Sequence, residues 1–171
     1  VKKPLEREGP QLNVWIWKQP LSEHKYILSA DVARGDSKDF STFHVIDVDT
    51  GEVVAEYQGK IPPDRYGELL SVYGKKYNNA LMCPENNSYG YATILKLQDL
   101  KYPNMYYRNR KGVFIGDYVP TQDSSIAGFT TSGKTRPQIL TKLEETIRNK
   151  NIIIYSSRFY AEMKTFAWKG N

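Results

Sequence analysis

Three strand-like segments follow one another closely between residues 24 and 59, and from residue 62 the spacing of apolar residues changes. That change of period restricts the fold more than any other feature. HKYILSADVA (24–33) is an apolar run flanked by polar residues. FSTFHVIDVDTGEVVAEYQGK then reads as strands at 41–48 and 52–59, joined at Asp49-Thr50-Gly51, where Gly51 supplies a left-handed turn position. The chain therefore opens with an antiparallel three-strand meander. Beyond it, Tyr66, Leu69, Leu70 and Tyr73 fall at helical spacing within 62–78, after prolines and Asp64 that signal a start. ALMCPE (80–85) is a short buried strand, and Asn87 or Ser88 caps a helix over 89–100. NMYYR (104–108) is a strand, and a long loop or small hairpin runs to about 133. A helix over 136–149 puts Ile139, Leu140, Leu143 and Ile147 on one face; NIIIY (151–155) is a strand; a last helix begins at 157. Antiparallel strands followed by helix–strand units predict an α/β chain, with a central sheet of mixed direction and helices on its faces.

The length, 171 residues, suits one domain. VKKPLEREGPQL is polar and bears prolines, so residues 1–23 read as a linker or N-terminal arm, in which NVWIW (13–17) is an edge strand or packs on the domain at 24–171. Cys83 is the single cysteine, which excludes an internal disulfide and points to a reducing cytoplasm. No apolar run is long enough for a membrane helix, and the start lacks a signal-peptide pattern. Twenty-four Lys and Arg against nineteen Asp and Glu give a net charge of +5, which agrees with a nucleic-acid partner without requiring one.

GFTTSGKT (128–135) matches the phosphate-cradling loop of nucleotide hydrolases in Gly128, Gly133, Lys134 and Thr135. Such a loop leaves a buried strand and opens a helix. Pro137 fits the first turn of a helix, but DYVPTQDSSIA in front is no buried strand, and NIIIY ends without an acid to hold magnesium. No nucleotide site is expected. Lys134, Arg136 and the helix start suit a DNA phosphate instead.

Asp31 lies near the end of the first buried strand and Glu85 ends the short fourth one. A carboxylate in a sheet interior must be paired, hydrogen-bonded or metal-bound. If those strands are neighbours, the two acids meet at one edge of the sheet, where oxygen ligands suit Mg²⁺ or Mn²⁺. Asp36 reads as a solvated loop charge, while Asp39 is either loop charge or a further ligand. His24 and His44 have no nucleophile nearby, and Cys83 alone supports no zinc site.

LSADVARGDSKDFSTFHVID, MCPENNSYGYATILKL, FTTSGKTRPQILTKLEETI and FAWKGN, in that order, resemble the nuclease domain of the large terminase subunit of tailed bacteriophages. That family belongs to the ribonuclease-H-like superfamily. The resemblance covers most of the chain after residue 24. It implies a ribonuclease-H-like fold and a metal-dependent endonuclease that cuts concatemeric double-stranded DNA as packaging starts and ends. It makes Asp31 and Glu85 metal ligands and catalytic acids, with Asp39 auxiliary, around two Mg²⁺ or Mn²⁺ ions. Backbone-gripping candidates are Arg34, Lys38, Arg108, Arg110, Lys111, Lys134 and Arg136. The implied partners are an N-terminal ATPase domain of the same polypeptide, the portal protein and the small terminase subunit. The implied location is the host cytoplasm and, transiently, the procapsid portal. The family's third acid lies beyond the Trp168-Lys169-Gly170 segment, so the C-terminal end reads as truncated at Asn171. Two rivals differ in observable ways: a non-catalytic DNA-binding or assembly module would bind without cutting, and a resolvase-type or integrase-type nuclease would prefer four-way junctions.

Overall fold

The computed structural model describes residues 1–36, 38–109 and 125–166. In chain order these form β1 (Glu6–Glu8), β2 (Val14–Ile16), β3 (Tyr26–Asp31), β4 (Ser41–Asp47), β5 (Glu52–Gly59), α1 (Pro63–Lys76), β6 (Leu81–Pro84), α2 (Gly90–Asp99), β7 (Tyr107–Asn109), β8 (Ser125–Ala127), α3 (Thr135–Arg148) and α4 (Ser157–Thr165). Six strands make one mixed sheet in the order β1-β2-β5-β4-β3-β6, and β7 and β8 pair separately. The meander β3-β4-β5 is antiparallel throughout, and β6 joins β3 in parallel. Helix α1 supplies the crossover between the meander and β6.

The turn between β4 and β5 forms as its residues require. Asp47 accepts hydrogen bonds from the backbone N–H groups of Asp49 and Thr50, and Gly51 takes φ +70°. Helix α1 starts on Pro63 with Asp64 in its first turn and ends with Lys75 and Lys76, charges that complement the helix dipole. Its apolar stripe covers one sheet face. The Phe43 ring centroid lies 5.5 Å from that of Tyr57 and 5.4 Å from that of Tyr73, and Tyr66 packs 5.8 Å from Tyr57. Each fully buried side chain of this kind contributes about 1.5–3 kcal/mol.

The opposite sheet face is polar. Glu56, buried on β5, accepts from Ser156 Oγ and Arg158 Nε at 2.7 Å each. Arg158 also lies 3.8 Å from the Trp15 ring, and Ser156 caps α4 by accepting from the Phe159 N–H. Helix α4 is thus docked by directional contacts rather than by apolar burial.

Three segments differ from the sequence-based expectation. Residues 1–23, polar enough to read as a linker or arm, contain β1 as well as β2; β2 is the NVWIW strand expected at an edge, but β1 covers it on one side and it pairs with β5 on the other through Val14↔Tyr57 and Ile16↔Ala55. This explains the second difference. NIIIY, expected as a strand, forms a single bridge, Glu52↔Ile153, because β2 already occupies the rest of that side of β5. NMYYR is divided in a similar way: Met105 bridges Met82, and only Tyr107 onward enters β7.

Candidate metal centre

Asp31 is the last residue of β3 and pairs with Thr42 on β4. On its other side Ala30 is in register with Pro84 of β6, and the Glu85 N–H donates to the Ala30 carbonyl at 2.8 Å. The next residue on each strand is therefore an acid, Asp31 beside Glu85. In β3 the residues Tyr26, Leu28 and Ala30 face the core, so alternation turns Asp31 to the sheet face that α4 covers further along.

The two carboxyls are in hydrogen-bond contact. The Asp31 pKa is pushed up to about 6 by the crowding of protein atoms around its carboxyl, then by the hydrogen bond and charge of Glu85. A hydrogen bond from the Val32 N–H pulls the other way, and Asp39 is near enough to add repulsion. Two carboxyls held this close resist ionising together, and a divalent cation removes that resistance.

Local sequence fixes Glu85. Asn87 Nδ2 donates to Glu85 Oε2 at 3.2 Å and to the Val32 carbonyl at 3.4 Å. Its Oδ1 accepts the Gly90 N–H at 2.8 Å, at the start of α2. The N-cap position is Tyr89, not the expected Asn87 or Ser88; Asn87 instead accepts from the first amide of α2 and orients the acid. Gly90 is required because a Cβ there would overlap the Glu85 carbonyl oxygen. From the other side Phe129 bridges Glu85: its N–H donates to the Pro84 carbonyl, and its carbonyl accepts the Asn86 N–H, both at 2.8 Å. Gly128, at φ +81°, makes this possible, because a Cβ there would lie 2.5 Å from the Pro84 oxygen. Gly133, the other glycine of GFTTSGKT, has open space around it.

The basic candidates are spread out. Arg34 pairs with Asp36 at 2.9 Å, both exposed, and Lys38 is exposed on the same β3–β4 loop. Arg108 is half-buried and donates to the Thr130 carbonyl at 3.2 Å. Lys134 and Arg136 are exposed at the start of α3. Arg110, Lys111 and the Trp168-Lys169-Gly170 segment lie outside the described residues. Among the described residues, His24, Asp47 and Asp49 form a second cluster, with ligand atoms within 4.8 Å of one another. It sits at the far end of the sheet, where Asp47 pairs with Tyr26. Turn amides and His24 Nδ1 (2.7 Å) already bond Asp47, and the Lys25 N–H bonds Asp49. That cluster locks a hairpin.

A mixed sheet with three antiparallel strands, a parallel fourth and helices on both faces is a ribonuclease-H-like fold. Among solved structures this is the fold of large terminase nuclease domains from thermophilic phages. The zinc-bound nuclease of phage G20c superposes with a TM-score of 0.71 at 17% identity, over 98% of this chain and 84% of that one. Another structure of the G20c nuclease gives 0.63 at 18% identity, over 90% and 69%. The nuclease domain of Thermus phage P74-26 gives 0.64 at 17% identity, over 95% and 70%. The G20c domain is also known with magnesium and with cobalt bound. No family model and no curated protein matches the sequence. No helix among the described residues is long and apolar enough to cross a membrane.

Proposed function

We propose that the chain is the divalent-metal-dependent endonuclease of a viral DNA-packaging terminase, hydrolysing phosphodiester bonds in concatemeric double-stranded DNA as packaging begins and ends. One observation carries the reading: Asp31 and Glu85 meet at the ends of adjacent parallel strands, in a fold shared with large terminase nucleases. Their hard oxygen donors suit Mg²⁺ or Mn²⁺, and their mutual repulsion is what a cation relieves. Asp31 and Glu85 would hold the ions, with Asp39 close enough to assist. When bound, two such ions supply an activated water and stabilise the leaving oxygen.

The remaining work falls to the chain. Asn87 holds the Glu85 carboxylate in place, and the Val32 N–H holds that of Asp31. Arg34, Lys38, Arg108, Lys134 and Arg136, with Arg110 and Lys111, grip phosphates without reading bases, so DNA affinity falls steeply with salt. The chain acts beside an ATPase domain of the same polypeptide, with the portal protein and the small terminase subunit, in the infected host's cytoplasm and at the procapsid portal.

Plasmid cleavage in Mg²⁺ and Mn²⁺ tests this, with Asp31→Asn and Glu85→Gln alongside. Metal-dependent cutting that both variants lose is the expected result. Salt-sensitive DNA binding without cutting would assign the non-catalytic module instead, and a preference for four-way junctions would assign the resolvase class.

A further inference from the structure

We propose that the cavity between α3 and the β7–β8 pair holds one unpaired nucleotide of the strand being cut, turned out of the duplex. Its phosphate would lie on Arg108 and Lys142, and its sugar and base over Phe129 and Leu143. This rests on the nuclease reading and adds a binding site to it. The cavity has a volume of about 490 Å³, within the range of small-ligand sites and ample for a nucleotide.

Three features select the occupant. The first is position. Phe129 lines the cavity and is also the residue bridged in parallel to Glu85, so one wall of the cavity adjoins the strand end that carries an acid of the pair. The second is charge. Among the described residues, Arg108 and Lys142 line it and no carboxylate does, while Thr135 and Gln138 add uncharged hydrogen-bonding groups. The neighbouring cavity of about 590 Å³ between α3 and α4 is lined by Glu144 and Glu162 as well as Arg148, and does not suit an anion. The third is the pairing of an apolar wall with a cationic rim, which matches a base beside a phosphate. Both cations can respond to a phosphate. Arg108 spends an N–H on the Thr130 carbonyl, which steadies the side chain, and a guanidinium carries five donors. Lys142 pairs with Glu145 at 3.0 Å, but both side chains are well exposed, and such pairs yield readily to a better acceptor. Thr135 also starts α3, whose dipole places partial positive charge there.

The test is fluorescence anisotropy with a labelled single-stranded oligonucleotide, in chelator so that no cutting intervenes. A single abasic position is moved along the strand. Lys142→Ala is expected to weaken binding about fivefold and to lower the salt slope by about one. Gln138→Trp, which fills the cavity, is expected to weaken binding similarly, and one abasic position to weaken it more than the others. Lys164→Ala, an exposed change on α4, is the control. Equal losses from Lys142→Ala and Lys164→Ala would mean diffuse surface charge and would overturn the site. So would wild-type binding by Gln138→Trp, or indifference to every abasic position. A protein that binds as proposed yet cuts no DNA would sink the nuclease reading and leave the cavity assignment standing.

Discussion

Asp31→Asn should make the metal-free protein more stable at pH 8. The Asp31 carboxyl is pushed from 3.8 to about 6 by crowding and by Glu85, so above pH 6 the fold holds a charge it disfavours. At about 1.4 kcal/mol per tenfold change in proton affinity, the full effect is roughly 3 kcal/mol. Asp31 is exposed, so solvent screening reduces this to about 1–2 kcal/mol. The sign follows from proton binding. Between pH 4 and 6 the unfolded chain releases a proton that the folded chain retains, so this contribution is present below 3.8 and lost as the pH rises through 6. Asparagine removes the charge and its amide can still donate to Glu85. In chelator at pH 8 the variant should melt roughly 3–6 °C higher, and the gap should shrink toward pH 5. Millimolar magnesium should then reverse the order, since a ligand at a hundred times its Kd stabilises its binder by about 2.7 kcal/mol. Differential scanning calorimetry under the two conditions reads both effects. A variant that melts below the wild type in chelator, or gains as much from magnesium, would refute the reasoning.

Arg158→Ala should cost about 3 kcal/mol, seen as a lower urea midpoint, because it leaves buried Glu56 without its guanidinium partner. Burial alone would raise the Glu56 pKa, but hydrogen bonds from His44, Ser156 and Arg158 outweigh it and hold the pKa below the usual carboxylate value. Glu56 therefore stabilises the fold above the unfolded pKa, and that contribution is lost as pH falls through the folded value; Arg158→Ala should flatten this acid limb of the stability profile. Gly128→Ala should destabilise by about 1–3 kcal/mol and reduce cutting, whereas Gly133→Ala should change melting by less than about 0.5 kcal/mol, measured by circular dichroism. The reverse pattern would revive a phosphate-loop reading of GFTTSGKT.

The meander and all four helices were legible because each rests on local period; the neighbouring of β3 and β6 was only a condition there, and the parallel pairing meets it. The acid pair followed from position: each carboxylate ends an apolar run, and parallel pairing aligns the ends. The three-residue strand β1 was not legible. ERE in β1 is entirely charged and carries no alternation, so only its pairing with β2 defines it. The fate of NIIIY depended on that same pairing. Asn87 was visible only as one of two cap candidates, and its bond to Glu85 arises only once the chain turns into α2. Lys142 carried no signal in the sequence; that it lines one cavity with Arg108 depends on where α3 lies.

The two outer strands of the sheet decide how another protein can attach. At one end β1 is three charged residues long, too short and too charged to template a further strand. At the other, the outward groups of β6 are engaged: the Met82 N–H donates to the Asn104 carbonyl, the Met82 carbonyl accepts the Tyr106 N–H, and the Pro84 carbonyl accepts the Phe129 N–H. Among the described residues, both margins of the six-stranded sheet are closed to strand addition. A partner that attaches to this sheet must use side chains on its faces, so its contacts will be open to single-residue substitution in a way that backbone pairing is not.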